Sequence, residues 1–359
     1  MTTIHPVRTF AAVACTAALV VSGCTKSEDS GAADTSGDPE AGAQQVKSAG
    51  TNGPECSLDK YGAEKLDLAD ATVGFSQSEK EDNPFRIAET ESITQSAEEA
   101  GVKDFIKTNA QTQLSKQIAD IQGMISQGVD VLIVAPLNSD GLEPALNAAK
   151  DKGIPVLTVD RKLNAEPCED YISFLGSDFT EQGKRAADQV IEATDGKANV
   201  AILLGASGNN VTTERTKGFV DQIGAEAPEI EIVAQQTGEF ARDKGQQVTE
   251  QLLQSNPEID TIYAENDEMG LGALAAIRAA GKQPGEDIKI FSVDGTRNAV
   301  SEITKGTYNG VIESNPRFGP LAFDTLEKFY AGDPVTDEIV IEDREYTPDN
   351  AEELLDSAY

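Results

Sequence analysis

Asp160-Arg161 and Asp294-Gly295 each follow a short apolar, β-branched run, so both put a carboxylate where a buried strand would end. Beside comparable runs stand Ser76, the tetrapeptide Asn83-Pro84-Phe85-Arg86, Arg215, Phe240 with Arg242, and Asn266-Asp267. These residue types suit one task well, the holding of a small polyol. Every hydroxyl of a sugar both donates and accepts. Carboxylates take two hydroxyl protons, Arg and Asn donate in planar forks, and an aromatic ring covers the apolar face. The chain has no Trp, so Phe85 and Phe240 are left to do the covering.

Each position also has a plainer reading. Asp160-Arg161 could close a surface salt bridge, Asp294-Gly295 could be a tight turn, and Phe85 and Phe240 could be ordinary core. Asn266 and Asp267 are both suited to cap the helix that follows; we assign Asn266 to the ligand and Asp267 to the cap. Catalysis is disfavoured. Asp160 and Asp294 match a glycosidase pair in type, but an arginine beside each is expected to hold its pKa low and spoil it as a general acid. The only histidine, His5, lies in a segment expected to be cleaved, which leaves no imidazole as base or metal ligand. No Cys/His zinc spacing, GxxxxGK[ST] loop, GxSxG elbow or calcium-binding loop occurs, so no enzyme activity, metal or cofactor is expected.

The N-terminal region sets the compartment. Arg8, an apolar run over 10–21 and the ending Val21-Ser22-Gly23-Cys24 read as a secretory signal over residues 1–23, too short to span a membrane. The last four residues resemble a lipobox, which makes Cys24 the expected lipidation site. Residues 24–55 are rich in Gly, Ser and Asp and are expected to form a flexible tether, spanning on the order of 30 Å as a coil. Loss of 1–23 removes Arg8 and moves the formal charge from −33 to −34. A surface this acidic repels nucleic acid. Cys15 goes with the signal and Cys24 takes lipid, so Cys56 and Cys168 remain as an expected disulfide of an oxidising compartment.

Polar side chains scattered over two hundred residues need a frame that gathers them. From residue 69 onward, short apolar runs alternate with amphipathic stretches of helical length, the rhythm of a doubly wound α/β fold. Strands are expected at 72–76, 104–108, 131–134 and 156–159, with helices at 85–100, 113–127 and 141–152 between them. A second set has strands at 171–175, 199–204, 231–235, 261–264 and 288–293, and helices at 180–193, 214–225, 243–254, 269–280 and 299–305. About 300 residues exceed what one hydrophobic core usually serves, so two lobes are expected. Their boundary is placed near 176–178, with 310–313 and 339–345 as candidates for further crossings. Ligands of such sheets sit beyond the carboxyl ends of the strands, and two such ends facing each other make a cleft.

The motifs GFSQ…NPF, IPVLTVDR, TTERTKGF, GEFARDKG, YAENDEMGLGAL and FSVDGT resemble those of the ribose/galactose type of periplasmic sugar-binding proteins, most of all its galactofuranose-binding branch. The resemblance implies a type I periplasmic binding protein, two doubly wound parallel-sheet lobes joined by a multi-crossing hinge. Its N-terminal lobe would be 70–176 with 315–340 and its C-terminal lobe 177–313 with 341–359. It implies ligand contacts at Ser76, Asn83, Phe85, Arg86, Asp160 and Arg161 in the first lobe, and at Arg215, Phe240, Arg242, Asn266 and Asp294 in the second. Arg86 stands where ribose receptors carry a second Phe, Ala135 where they carry Asn, and Ser314 near where they carry Gln. Arg86 and Glu313 match the galactofuranose type instead, so Glu313 joins the expected contacts and a hexose in furanose form fits better than ribose. The implied role is the receptor of an ABC sugar importer. Its partners would be one monosaccharide, a permease with its ATPase, and the membrane through Cys24, and it would act as a monomer. A sensor feeding a chemoreceptor or kinase is the alternative with the same fold. A sugar-responsive repressor would need a helix-turn-helix and a basic face, and the sequence has neither.

Overall fold

The computed structural model describes residues 44–49 and 55–359; the expected signal 1–23, the lipidated Cys24 and most of the tether lie outside them. The strands are β1 (Val46–Ala49), β2 (Thr72–Gln77), β3 (Asp104–Asn109), β4 (Val131–Val134), β5 (Val156–Val159), β6 (Ser173–Gly176) and β7 (Asn199–Leu204). They continue as β8 (Glu231–Thr237), β9 (Thr261–Ala264), β10 (Lys289–Asp294), β11 (Gly310–Glu313), β12 (Glu338–Ile341) and β13 (Glu345–Tyr346). One sheet has the order β1-β12-β6-β5-β4-β2-β3 and the other β13-β11-β10-β9-β7-β8. All pairings are parallel except β1 with β12 and β11 with β13. The runs VLIV in β4 and VLTV in β5 are buried at every position, as strands covered by helices on both faces must be.

Helices start where the sequence supplies caps. Asn83, Asp178, Asn209 and Asn266 each accept a hydrogen bond from a backbone amide in the first turn of the helix that follows, and Pro84 opens the helix Pro84–Glu99. The cap of Asp267–Ala279 is therefore Asn266 and not Asp267 as expected. Asp267 instead accepts from the Ser292 hydroxyl, from the Gly295 amide at 3.0 Å and from the Thr296 amide at 2.7 Å. It holds the turn after β10.

Two expectations are corrected by strand pairing. The run at 171–175, read as the start of the second set, forms β6 and pairs with β5 in the first sheet. Burial alone cannot say which neighbour a strand takes. Part of the tether is docked: β1 adds an antiparallel edge strand, with the Glu342 amide donating to the Gln45 carbonyl at 2.7 Å and Gln44 Nε2 donating to the Asn315 carbonyl at 2.7 Å. Edge pairing uses main-chain groups, so a segment with little apolar content can still be held.

The chain passes between the sheets after β6, after β11 and after β12. The three passages are tied side by side. Asp343 Oδ1 accepts from Ser177 Oγ at 3.0 Å and Asp343 Oδ2 from Gln182 Nε2 at 2.8 Å, while the Glu313 amide donates to the Arg344 carbonyl at 2.9 Å.

Cys56 and Cys168 form a disulfide, with Cα atoms 5.0 Å apart and 112 positions between them in sequence. Closing a loop of that length removes unfolded-chain entropy worth up to ~4.7 kcal/mol. The double variant Cys56→Ser/Cys168→Ser is expected to lose about 3–5 kcal/mol in urea unfolding followed by circular dichroism. A midpoint equal to the parent's would contradict this account of the bond.

Candidate functional site

The carboxyl ends of β2 and β5 present one half of a polar cluster. Arg86, in the first turn after its Asn83 cap, is buried and donates from Nε to Glu79 at 2.9 Å, and from one Nη to Glu89 at 2.8 Å and Asp160 at 2.7 Å. Arg161 donates to the other oxygen of Glu79 at 2.7 Å and to the Leu137 carbonyl at 3.0 Å. Asp160 is held at φ 64°, a left-handed conformation that costs a non-glycine residue energy and is found disproportionately at functional positions. Glu79 thus bridges two guanidinium groups. Burial acts to raise its pKa, but Arg161 and Arg86 outweigh burial and hold it down at about 2.

The second sheet supplies the facing half. Arg215, inside the helix Asn210–Glu226, donates from Nε to Gln182 at 2.9 Å and lies 3.7 Å from Asp294, the last residue of β10. Two consecutive left-handed residues, Glu239 and Phe240, turn the Phe240 ring inward over Gly205. A Cβ at Gly205 would lie 2.0 Å from that ring, so only glycine admits it. The Arg161 guanidinium of the first half sits 5.9 Å from the Phe240 centroid, and Asn266 Nδ2 donates to the Phe240 carbonyl at 3.1 Å.

Between the halves lies a cavity with about 30 Å³ of free space. From the first lobe it is lined by the expected Asn83, Phe85, Arg86, Asp160 and Arg161, and from the second by Arg215, Phe240, Asn266 and Asp294. It opens past Glu79, Asn83 and Phe240 into a groove of about 710 Å³. Glu79 and Val211 also line it and were missed by the sequence reading. Glu79 had a signal: two arginines were assigned to the first half with a single carboxylate between them.

Three expected residues lie elsewhere. Ser76 is inside β2 rather than past its end, buried with its Oγ accepting from Gln117 at 3.3 Å. Arg242 lines the outer groove, where Glu268 binds it through two hydrogen bonds of 2.8 and 2.6 Å. Glu313 faces the hinge and accepts from the Arg344 amide at 3.0 Å.

The expectation of a low pKa fails for Asp294. Burial pushes its carboxyl well above the ordinary range, and Arg215 offsets this only partly because 3.7 Å is too long for a hydrogen bond. Asp267 and Asp160 add to the upward push. Among the described residues no cluster of three or more His, Cys, Asp or Glu is arranged to hold a metal ion.

Behind Arg215, Glu265 accepts from the Gly205 amide at 2.7 Å and from the Thr216 hydroxyl. Burial raises its pKa from 4.5 to about 7, against the lowering effect of those hydrogen bonds. The fold holds a proton there that the unfolded chain gives up. Its contribution to stability is therefore complete below about 4.5 and is lost as pH rises through about 7. Glu265→Gln keeps the shape and lets Thr216 accept instead. It is expected to exceed the parent's stability at pH 8 by on the order of 2–3 kcal/mol and to flatten thermal stability between pH 4 and 8. An unchanged slope would show that Glu265 is ionised in the fold.

Comparison with known proteins finds relatives along most of the chain. Residues 73–332 match the periplasmic binding protein domain family. The galactofuranose-binding protein YtfQ of Escherichia coli (strain K12) is 35% identical over 293 residues, 80% of this chain and 91% of that protein. A Mycobacterium smegmatis protein solved in complex with β-D-fucofuranose is 40% identical, with a TM-score of 0.75 over 79% of this chain and 93% of that one. The binding protein of the arabinose ABC transporter from Shewanella sp. ANA-3, solved with α- and β-L-arabinofuranose, is 33% identical, with a TM-score of 0.76 over 79% of this chain and 94% of that one.

Proposed function

The chain belongs to the periplasmic binding protein family, and from that premise we propose that it is the extracytoplasmic receptor of an ABC sugar importer. It binds one monosaccharide between its lobes, 70–176 with 315–340 and 177–313 with 341–359, and catalyses nothing. Lipid on Cys24 anchors it to the membrane, and it works as a monomer that delivers sugar to a permease and its ATPase. The observation that carries this reading is the convergence of Asp160-Arg161 and Phe85 from one sheet with Arg215, Asp294 and Phe240 from the other on a single cavity. Carboxylates, guanidinium forks and aromatic faces are the groups a polyol needs, and a receptor needs them on both sides of a cleft.

A sugar ring does not fit in about 30 Å³, so the lobes must part about the three passages to admit it and close again over it. The ligand is a hexose in furanose form. Arg86 in place of an aromatic ring favours it, and three proteins similar to this chain are named for, or solved with, furanose sugars. Such a site takes only the furanose fraction of a sugar in solution, so apparent affinity falls by that fraction.

A thermal-shift panel tests the class of ligand. D-galactose, D-fucose, L-arabinose, D-ribose, amino acids and peptides are each added to the purified protein. A rise in melting temperature with one or more sugars is expected. A rise with an amino acid or peptide and none with any sugar would end the reading.

A further inference from the structure

Tyr359, the last residue of the sequence, stands outside every motif considered above, yet it reaches across the cleft. Its backbone belongs to the second lobe: the Arg297 amide donates to the Tyr359 carbonyl at 2.6 Å, and the Tyr359 amide to the Gly295 carbonyl at 3.4 Å. Those partners follow Asp294 directly. Its ring belongs to the first lobe. It packs against that lobe's core and meets the Phe85 ring edge to face, with centroids 6.2 Å apart and planes at 79°. The Arg317 guanidinium, from the passage after β11, lies 5.8 Å from the ring centroid. The hydroxyl oxygen is buried with no hydrogen-bond partner among the described residues.

We propose that Tyr359 is a positioning residue for sugar binding, a strut that fixes the Phe85 ring against the Asp294 turn when the lobes close. The inference rests on the receptor reading above. Phe85 covers the ligand; on its own helix its ring meets the Arg86 guanidinium, 4.9 Å from the centroid, and the Tyr359 ring is an aromatic contact from outside that helix. A ring anchored to residues 295 and 297 makes the position of Phe85 depend on the second lobe being in place. The contact forms only in the closed arrangement, so it slows sugar release more than it speeds sugar capture. Ring packing rather than the hydroxyl carries the effect, because the hydroxyl has no hydrogen-bond partner among the described residues.

The test is calorimetry and stopped-flow dissociation with D-galactose and L-arabinose as probes, on the parent, Tyr359→Ala, Tyr359→Leu, Tyr359→Phe, Phe85→Ala and the Phe85→Ala/Tyr359→Ala pair. Tyr359→Ala is expected to weaken binding about tenfold through faster dissociation, from the loss of one aromatic pair and its buried area. Tyr359→Leu should lie between it and the parent, and it decides the matter if the alanine variant folds poorly. Tyr359→Phe should bind within about threefold of the parent, and the double variant should be no weaker than Phe85→Ala alone. Parent-like binding by Tyr359→Ala, additive losses in the double variant, or a Tyr359→Phe as weak as Tyr359→Ala would each overturn the proposal. A parent that binds neither sugar defeats the receptor reading itself, an outcome distinct from all of these.

Discussion

Asp294→Ala is expected to remove sugar binding while leaving the melting temperature of the free protein almost unchanged. Asp294 ends β10 at φ 142°, is buried, and among the described residues has only Arg215, at 3.7 Å, as a close partner. A buried carboxyl with no hydrogen bond from the described residues is an acceptor kept for something else. Two hydroxyls donating to it would each be worth about 1.5–3 kcal/mol, so their loss weakens binding on the order of 10²- to 10⁴-fold. The free protein loses little, because burial already makes the charge costly there and alanine removes that cost. Calorimetry and thermal unfolding of the variant check both halves. Affinity within a few-fold of the parent would remove Asp294 from the site. Arg242→Ala, which breaks only a rim pair with Glu268, should cost far less.

Arg86→Ala should be the most damaging single change to the fold of this region. One guanidinium serves Glu79, Glu89 and Asp160, and all four groups are buried or nearly so. Removing it leaves three carboxylates with Arg161 as their only ion-pair partner among the described residues. Breaking a buried pair in this way costs about 3–5 kcal/mol. The loss has a pH signature. Burial already raises the pKa of Glu89, which moves further up without Arg86, and Glu79, now held down at about 2 by Arg161 and Arg86, loses part of that lowering. Carboxylates with raised folded-state pKa values stabilise less as pH rises through those values, so the deficit of the variant should grow from pH 4 to pH 8. A deficit independent of pH would mean that Arg86 acts by packing alone.

Sequence reading and structure place residues alike where topology does the placing. Asp160 and Phe240 follow parallel strands and Asp294 ends one, and the doubly wound arrangement sends the carboxyl ends of the parallel strands of one sheet to the same edge. A residue just past a strand could therefore be assigned without knowing any distance. The two differ where one residue of register or one turn of helix decides. Ser76 belongs to β2, which runs on to Gln77, and so it points under the site rather than into it. Arg242 starts its helix on the outer side, within reach of Glu268. Glu313 pairs with Asp294 in register but turns to the hinge, because Arg344 and Tyr346 supply its donors. The cap on Asn266 rather than Asp267 is of the same kind, since either type can cap and here Asp267 is taken by the turn after β10. Docking of residues 44–49 leaves no trace in composition, because main-chain pairing along an edge is indifferent to side-chain type.

A crystal structure grown with the sugar that most raises the melting temperature tests the central claim most directly. The account predicts one sugar ring between Phe85 and Phe240, with its hydroxyls within hydrogen-bond distance of Asp160, Arg161, Arg215 and Asp294. Sugar density at any other place, with Asp294 still facing Arg215 and no sugar hydroxyl, would contradict it.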